Sequence, residues 1–320
     1  NFQYDHRQEF DVVRTSTGPQ FNFRLTTLDT EIHHAHKPIH LSNHLHLKGS
    51  MGLAGNAQVH FYDGLALVPD YDAFGGGVYA IERLVGHDFE LEVGARYDVL
   101  ARSADIDRRD FLRLVRSDQL EMDACSNPDS DPVTCDSSFH TASITAGALW
   151  QLSQPWSLKA NLATASRPPN TDEQYLNGTS PTMPVLGLGK PDLEPETTYS
   201  ASVTSSYRGE RLAAEVSAFA NYIDDYIYFA PAVNDDGDPI FDVIIRGSFP
   251  RFVTKPVDAT FYGFDGGFAY NVLPNLQVGA QASVVRAKNL SDDSFLVFVP
   301  ADRVRGSLTY THNAQDESEA

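Results

Sequence analysis

The sequence predicts an all-β chain: an antiparallel, up-and-down transmembrane β-barrel. Three observations carry this. Apolar and polar residues alternate with period two in segment after segment, which gives a strand one apolar and one polar face. The connections alternate short and long, as in a barrel with tight turns on one side of a membrane and long loops on the other. Tyr and Trp collect near strand ends, at the headgroup level where an amphipathic ring sits half wet.

Two weaker strand segments open the chain, near residues 2–10 and 21–34. Clearer strands follow near 43–60, 77–85, 89–103, 138–150, 157–166, 197–207, 212–229, 259–271, 276–287 and 303–312. Residues 89–99 show the pattern cleanly: Phe89, Leu91, Val93, Ala95, Tyr97 and Val99 share one face, Glu90, Glu92, Gly94, Arg96 and Asp98 the other. Residues 276–284 repeat it. The short links lie at 86–88, 151–156, 208–211 and 272–275; the long ones at 61–76, 104–137, 167–196, 230–258 and 288–302. A β-sandwich would scatter its loop lengths between both ends. No stretch carries a convincing helical period, so no helix is expected. The aromatic belt is expected to include Tyr97, Trp150, Trp156, Tyr199, Tyr222, Tyr226, Tyr228, Tyr262, Tyr270 and Tyr310.

Composition narrows the function. The 320 residues carry 24 basic and 43 acidic side chains, a net charge of −19. That balance argues against nucleic acid, whose phosphates need Lys/Arg clusters. No window holds about 18 consecutive apolar residues, so no transmembrane helix is expected, a test that barrel strands escape. The start at Asn1 shows no signal peptide and the polar end over 313–320 shows no closing strand, so both ends read as cut. The two cysteines, Cys125 and Cys135, lie close together in one polar loop, and a local disulfide fits an oxidising compartment. Two thiols fall short of the four ligands a structural zinc site needs. No G-x-S-x-G, H-E-x-x-H or P-loop is present, so neither an enzyme nor a cofactor is expected.

Seven of the eleven histidines fall between His33 and His60. Alternation puts Leu45, Leu47, Met51 and Leu53 toward lipid, so His44, His46 and His60 face the lumen. His44 and His46, two apart on one strand face, suit a borderline-soft divalent ion. The other reading is a polar lumen lining beside a turn at Lys37-Pro38. The acidic loop over 104–137, with His140 nearby, suits a cation or a cationic chelate; solvated surface is the alternative. Two sequons, at Asn177 and Asn289, are expected to carry no sugar.

Wording adds to pattern. Arg167-Pro168-Pro169-Asn170 with Glu173 and Tyr175, then Lys190-Pro191-Asp192-Leu193-Glu194-Pro195-Glu196, then Asn221-Tyr222-Ile223-Asp224-Asp225-Tyr226-Ile227 closely resemble the C-terminal half of TonB-dependent outer-membrane receptors. Gly94-Ala95-Arg96-Tyr97-Asp98, Gly247 to Phe252 and Val299 to Val304 are similar to further passages of that family, in the same order. The resemblance implies one partial barrel domain over 1–320, without the plug and the final strands, since such barrels close at about 22 strands around a plugged lumen. It implies the outer membrane of a Gram-negative bacterium, contact with its lipid, and import of a metal ion, a siderophore-type metal chelate or haem, energised by the TonB complex. Arg167 and Tyr175 then become candidate contacts for an anionic siderophore, or residues that fold their loop. The alternatives are a passive porin or surface adhesin barrel, or a secreted sandwich-type binding module.

Overall fold

The computed structural model describes residues 1–10, 19–64, 67–179, 184–244 and 247–311. Twelve long strands appear among them: β1 (Phe2–Glu9), β2 (Phe21–Ala35), β3 (Leu45–Gly64), β4 (Asp70–Val85), β5 (Phe89–Ile106), β6 (Val133–Ser153), β7 (Trp156–Arg167), β8 (Glu196–Arg208), β9 (Leu212–Pro231), β10 (Gly247–Leu273), β11 (Leu276–Asn289) and β12 (Arg303–Tyr310). Each pairs antiparallel with the next, so the chain runs as one continuous meander. Among the described residues β1 and β12 each pair on one side only, so the sheet is open: a partial barrel. No helix is long and apolar enough to cross a membrane. The polar end over 312–320 lies outside the described residues.

The register fixes which side chains share a face. Tyr199 stands opposite Thr164 and Tyr222, and Val203 opposite Ala160 and Ala218. This face is apolar and open: Leu53, Val93, Ile144, Leu162, Val203 and Val216 are all at least half exposed, as lipid-facing positions are. The opposite face carries Asp29 against Asn56, Arg83 against Glu92, and Asn161 against Ser202, the polar lining of a lumen.

Three features depart from the sequence reading. First, strand β4 begins at Asp70, running through Gly75 and Gly76 where the loop over 61–76 is expected. A Cβ at Gly77 would collide with the Asp98 carboxylate, so the glycine run leaves room for lumenal side chains of β5. Second, a helix forms inside the acidic loop, α1 (Arg108–Arg116). It has Asp110 in its first turn and Arg113 and Arg116 in its last, charges that suit the helix dipole. Phe111 and Leu114, three apart on one face, are fully buried. They join Ile106, Val133, Tyr175 and Leu188 in one apolar cluster, and each buried side chain contributes about 1.5–3 kcal/mol. The Cys125–Cys135 disulfide, Cα–Cα 4.6 Å, closes the same cap. Third, the register slips between Ile223 and Tyr226, with Asp225 at φ 54°. Tyr226 then packs edge-on against Phe261 at 5.5 Å and leaves the expected aromatic belt.

Candidate ligand site

Loops build the site at the long-loop end. Pro168-Pro169 resist helix, so one begins only at α2 (Thr171–Tyr175). Asn170 and Glu173 form a capping box, with the Asn170 amide donating to Glu173 Oε2 at 2.7 Å. Arg167, at the end of β7, locks this turn to the wall. Its Nη1 and Nη2 donate to Glu173 at 2.8 and 3.1 Å, and its Nε donates to Glu196 at 2.9 Å. Glu196 also accepts from the Ile227 amide at 3.1 Å. The Lys190-Pro191 passage returns across the helix, where the Lys190 amide donates to the Glu173 carbonyl and Gln174 Nε2 to the Pro191 carbonyl.

Beneath these loops, on the lumenal face, lies a cavity of about 690 Å³. Arg7, His60, Tyr71, Arg102, Asn170 and Asp172 are among its walls. His60 is 6% exposed and stacks on Tyr71 at 4.9 Å. Its Nδ1 donates to the Pro69 carbonyl at 3.1 Å, so a neutral His60 carries its lone pair on Nε2. Arg102 is 7% exposed; its Nη1 donates to the Pro169 carbonyl at 3.1 Å and to Gln174 Oε1. A second, acidic cavity of about 490 Å³ lies beside α1. Burial pushes the Asp110 carboxyl there above the usual carboxylate range, against the pull of Arg113 and Arg109.

The structure redistributes the residues singled out from sequence. Arg167 lines no part of this cavity's wall: all three guanidinium nitrogens are engaged by carboxylates, so it clamps the loop. Tyr175 is 2% exposed within the cap cluster, so it too folds the loop. His140 stands opposite Val99 on the lipid-facing side, and its Nδ1 meets the Tyr97 hydroxyl at 2.8 Å. The lumenal place beside it belongs to Thr141, opposite Asp98. Sequence proximity to the acidic loop misplaces His140, because period two puts neighbours on opposite faces.

Of the three histidines singled out from sequence His60 reaches the cavity, where His6 of β1 joins it. His44 sits in the turn before β3, not on a strand, with the His87 ring 6.3 Å away. His46 faces His40 at 5.9 Å. His60 lies roughly 45 Å further along β3 at about 3.3 Å per residue. Among the described residues no three His, Cys, Asp or Glu side chains converge to hold a metal ion. Asn177 and Asn289 are buried, so neither sequon presents its amide. Sequence reading passed over Arg102, whose only signal was its lumenal parity in β5.

The comparisons fit this architecture. The TonB dependent receptor-like, beta-barrel family matches residues 1–317. Among solved structures, the chain is similar to a protein described as the copper transporter OprC, with 18% identity and a TM-score of 0.66 over 91% of this chain. It is similar to the Serratia marcescens hemophore receptor HasR in complex with its hemophore HasA and heme, with 16% identity and a TM-score of 0.66 over 92%. It is also similar to the FrpB iron transporter from Neisseria meningitidis, with 16% identity and a TM-score of 0.55 over 93%. The chain spans 42%, 50% and 42% of those three structures. No curated protein matches its sequence. These proteins are transporters and receptors. With the family's pattern running from residue 1 to residue 317 and the same open run of lipid-facing strands beneath it, the chain belongs to the TonB-dependent receptor β-barrel family.

Proposed function

We propose that this chain is the barrel portion of an outer-membrane receptor of a Gram-negative bacterium that imports a scarce, metal-bearing ligand, energised through TonB. The carrying observation is the 690 Å³ lumenal cavity, walled by His60, Tyr71 and Arg102 and by Asn170 and Asp172 of the loop that the Arg167–Glu173–Glu196 clamp holds. Its position suits capture from outside: ligand descends between the long loops and meets a polar, partly closed chamber before any plug. His60 offers an imidazole Nε2 to a metal carried by the ligand, with Nδ1 held by Pro69. His44 and His46, at the short-turn end, serve as polar lining where the ligand would leave.

The neighbouring transporters of copper, iron and haem support a metal-bearing cargo without choosing among them. The test is uptake by the complete receptor expressed in an outer-membrane-competent strain, with radiolabelled iron chelates, haem and copper offered separately. Accumulation that disappears on deleting TonB bears out the reading. Equal accumulation with and without TonB makes the protein a passive pore, and no accumulation of any of the three removes the metal-bearing cargo.

A further inference from the structure

We propose that His40 and His46 form a two-imidazole site for a bare, borderline-soft divalent ion, copper(II) or zinc(II), at the short-turn end of the lumen. The site lies at the far end of β3 from the cavity, roughly 45 Å from His60 at about 3.3 Å per residue, so it is independent of what the cavity takes. Strand register builds it. The short strand Ile39–Ser42 pairs antiparallel with the start of β3, which sets His40 directly opposite His46. On its other side His46 stands opposite Val85 of β4. Directly opposed residues share a face. Ile39, Leu47 and Leu84 form the neighbouring row, on the lipid-facing side with Leu53, so the two histidines face the lumen.

The two ring centroids are 5.9 Å apart, with planes tilted by 51°. An ion bonded at about 2.0–2.1 Å to one nitrogen of each ring would hold the centroids roughly 5–6 Å apart. The pair already has that spacing, on two paired strands, so little conformational freedom is lost when an ion binds. A second pair, His44 and His87, is wider, at 6.3 Å and edge-on. Both of its members sit in turns, and the His87 side chain is 82% exposed with Asp88 3.6 Å from its Nε2, so this pair is less constrained.

Imidazole nitrogens suit copper(II) and zinc(II), whereas calcium and magnesium take oxygen donors. Two protein nitrogens leave further coordination positions open to water or to a group on another molecule, unlike the closed four-ligand shell of a structural zinc site. An ion held this way exchanges readily. The charges nearby do not oppose it. Lys48 and Arg83 face each other one step further along the same face. Arg83 pairs with Glu92 and lies 3.8 Å from Glu90, which stands opposite Val85. Two positive and two negative side chains thus flank the pair.

The experiment uses the complete receptor in detergent, purified without a polyhistidine tag and titrated with copper(II) chloride. The wild-type protein is expected to give an electron paramagnetic resonance signal with two coupled imidazole nitrogens. Amide exchange over residues 39–47 should slow once copper is added, and magnesium should leave it unchanged. His40→Ala and His46→Ala should each remove that signal and its protection, and weaken binding at this site roughly tenfold or more. His44→Ala combined with His87→Ala should leave both readouts in place. Because alanine could loosen the short hairpin, His40→Gln supplies a further variant that keeps a polar side chain of similar size. Its metal-free exchange over 39–47 should match the wild-type protein while the copper signal is lost. A copper signal that survives His40→Gln and His46→Ala overturns the inference. So does a signal that depends on His44 and His87 instead, or a wild-type protein in which copper brings no protection to 39–47.

Discussion

Arg167 and Glu173 form a two-pronged pair, Nη1 to Oε2 at 2.8 Å and Nη2 to Oε1 at 3.1 Å, six residues apart across the Pro168-Pro169 turn. The pair is half-buried, and Glu196 takes the remaining Nε. A family-like motif therefore reads as a mechanical latch. Arg167→Gln should strand two carboxylates near each other and destabilise the 168–176 segment by roughly 1–3 kcal/mol. Amide exchange in that segment should accelerate, while the strands below β7 keep their protection. An unchanged exchange pattern would remove the latch.

The Cys125–Cys135 bridge closes a short loop over the cap core, and a loop of that length stabilises by about 2–3 kcal/mol. Reducing it should open the 117–132 segment to protease before the barrel melts. If cleavage is equally slow with and without reductant, the apolar cluster around Phe111 and Leu114 holds the cap unaided.

Two neighbours on β7 separate the lipid from the lumen. Leu162 is 63% exposed on the apolar face, and Asn161 points the other way, toward Ser202. Leu162→Arg should cost about 2–4 kcal/mol if it sits near the bilayer midplane, whereas Asn161→Arg should be tolerated. Folding yields in lipid vesicles measure both; equal yields would refute the assignment of faces.

Asp242 and Arg251 pair in the hairpin formed by residues 241–244 and the start of β10, at 2.7 Å from each guanidinium prong. The Arg251 hydrogen bonds hold the Asp242 carboxyl below the usual carboxylate range. A depressed acid contributes stability that is complete above its unfolded value of about 3.9 and fades as pH falls through the folded value. Amide protection in this hairpin should stay flat from pH 8 to 5 and drop below about pH 4. Arg251→Gln should remove that drop by weakening the hairpin at every pH.

His44→Ala with His46→Ala should leave the affinity of the complete receptor for its ligand within twofold. Both lie roughly 45 Å from His60 along β3. His60→Ala should instead lower affinity for a metal-bearing probe. A large effect from the first pair and none from His60 would move the site to the short-turn end.

The sequence by itself determined the strand count, the antiparallel order, the two faces and the disulfide. Each is written in local terms: period two assigns faces residue by residue, and short links force neighbours to pair. It also supplied the family, through the Arg167 and Lys190 passages. Tertiary structure decided what those residues do. Helix α1 escaped notice because its nine residues have only Phe111 and Leu114 fully buried, and the partners that stabilise them come from Tyr175 and Leu188, far along the chain. Tyr226 left the belt because one residue at positive φ reverses every face beyond it. Above all, charge pairing is a contact across loops. Arg167 found two carboxylates and Arg102 found none. Only the folded loops, by placing Glu173 and Glu196 beside one and neutral oxygens beside the other, made the difference.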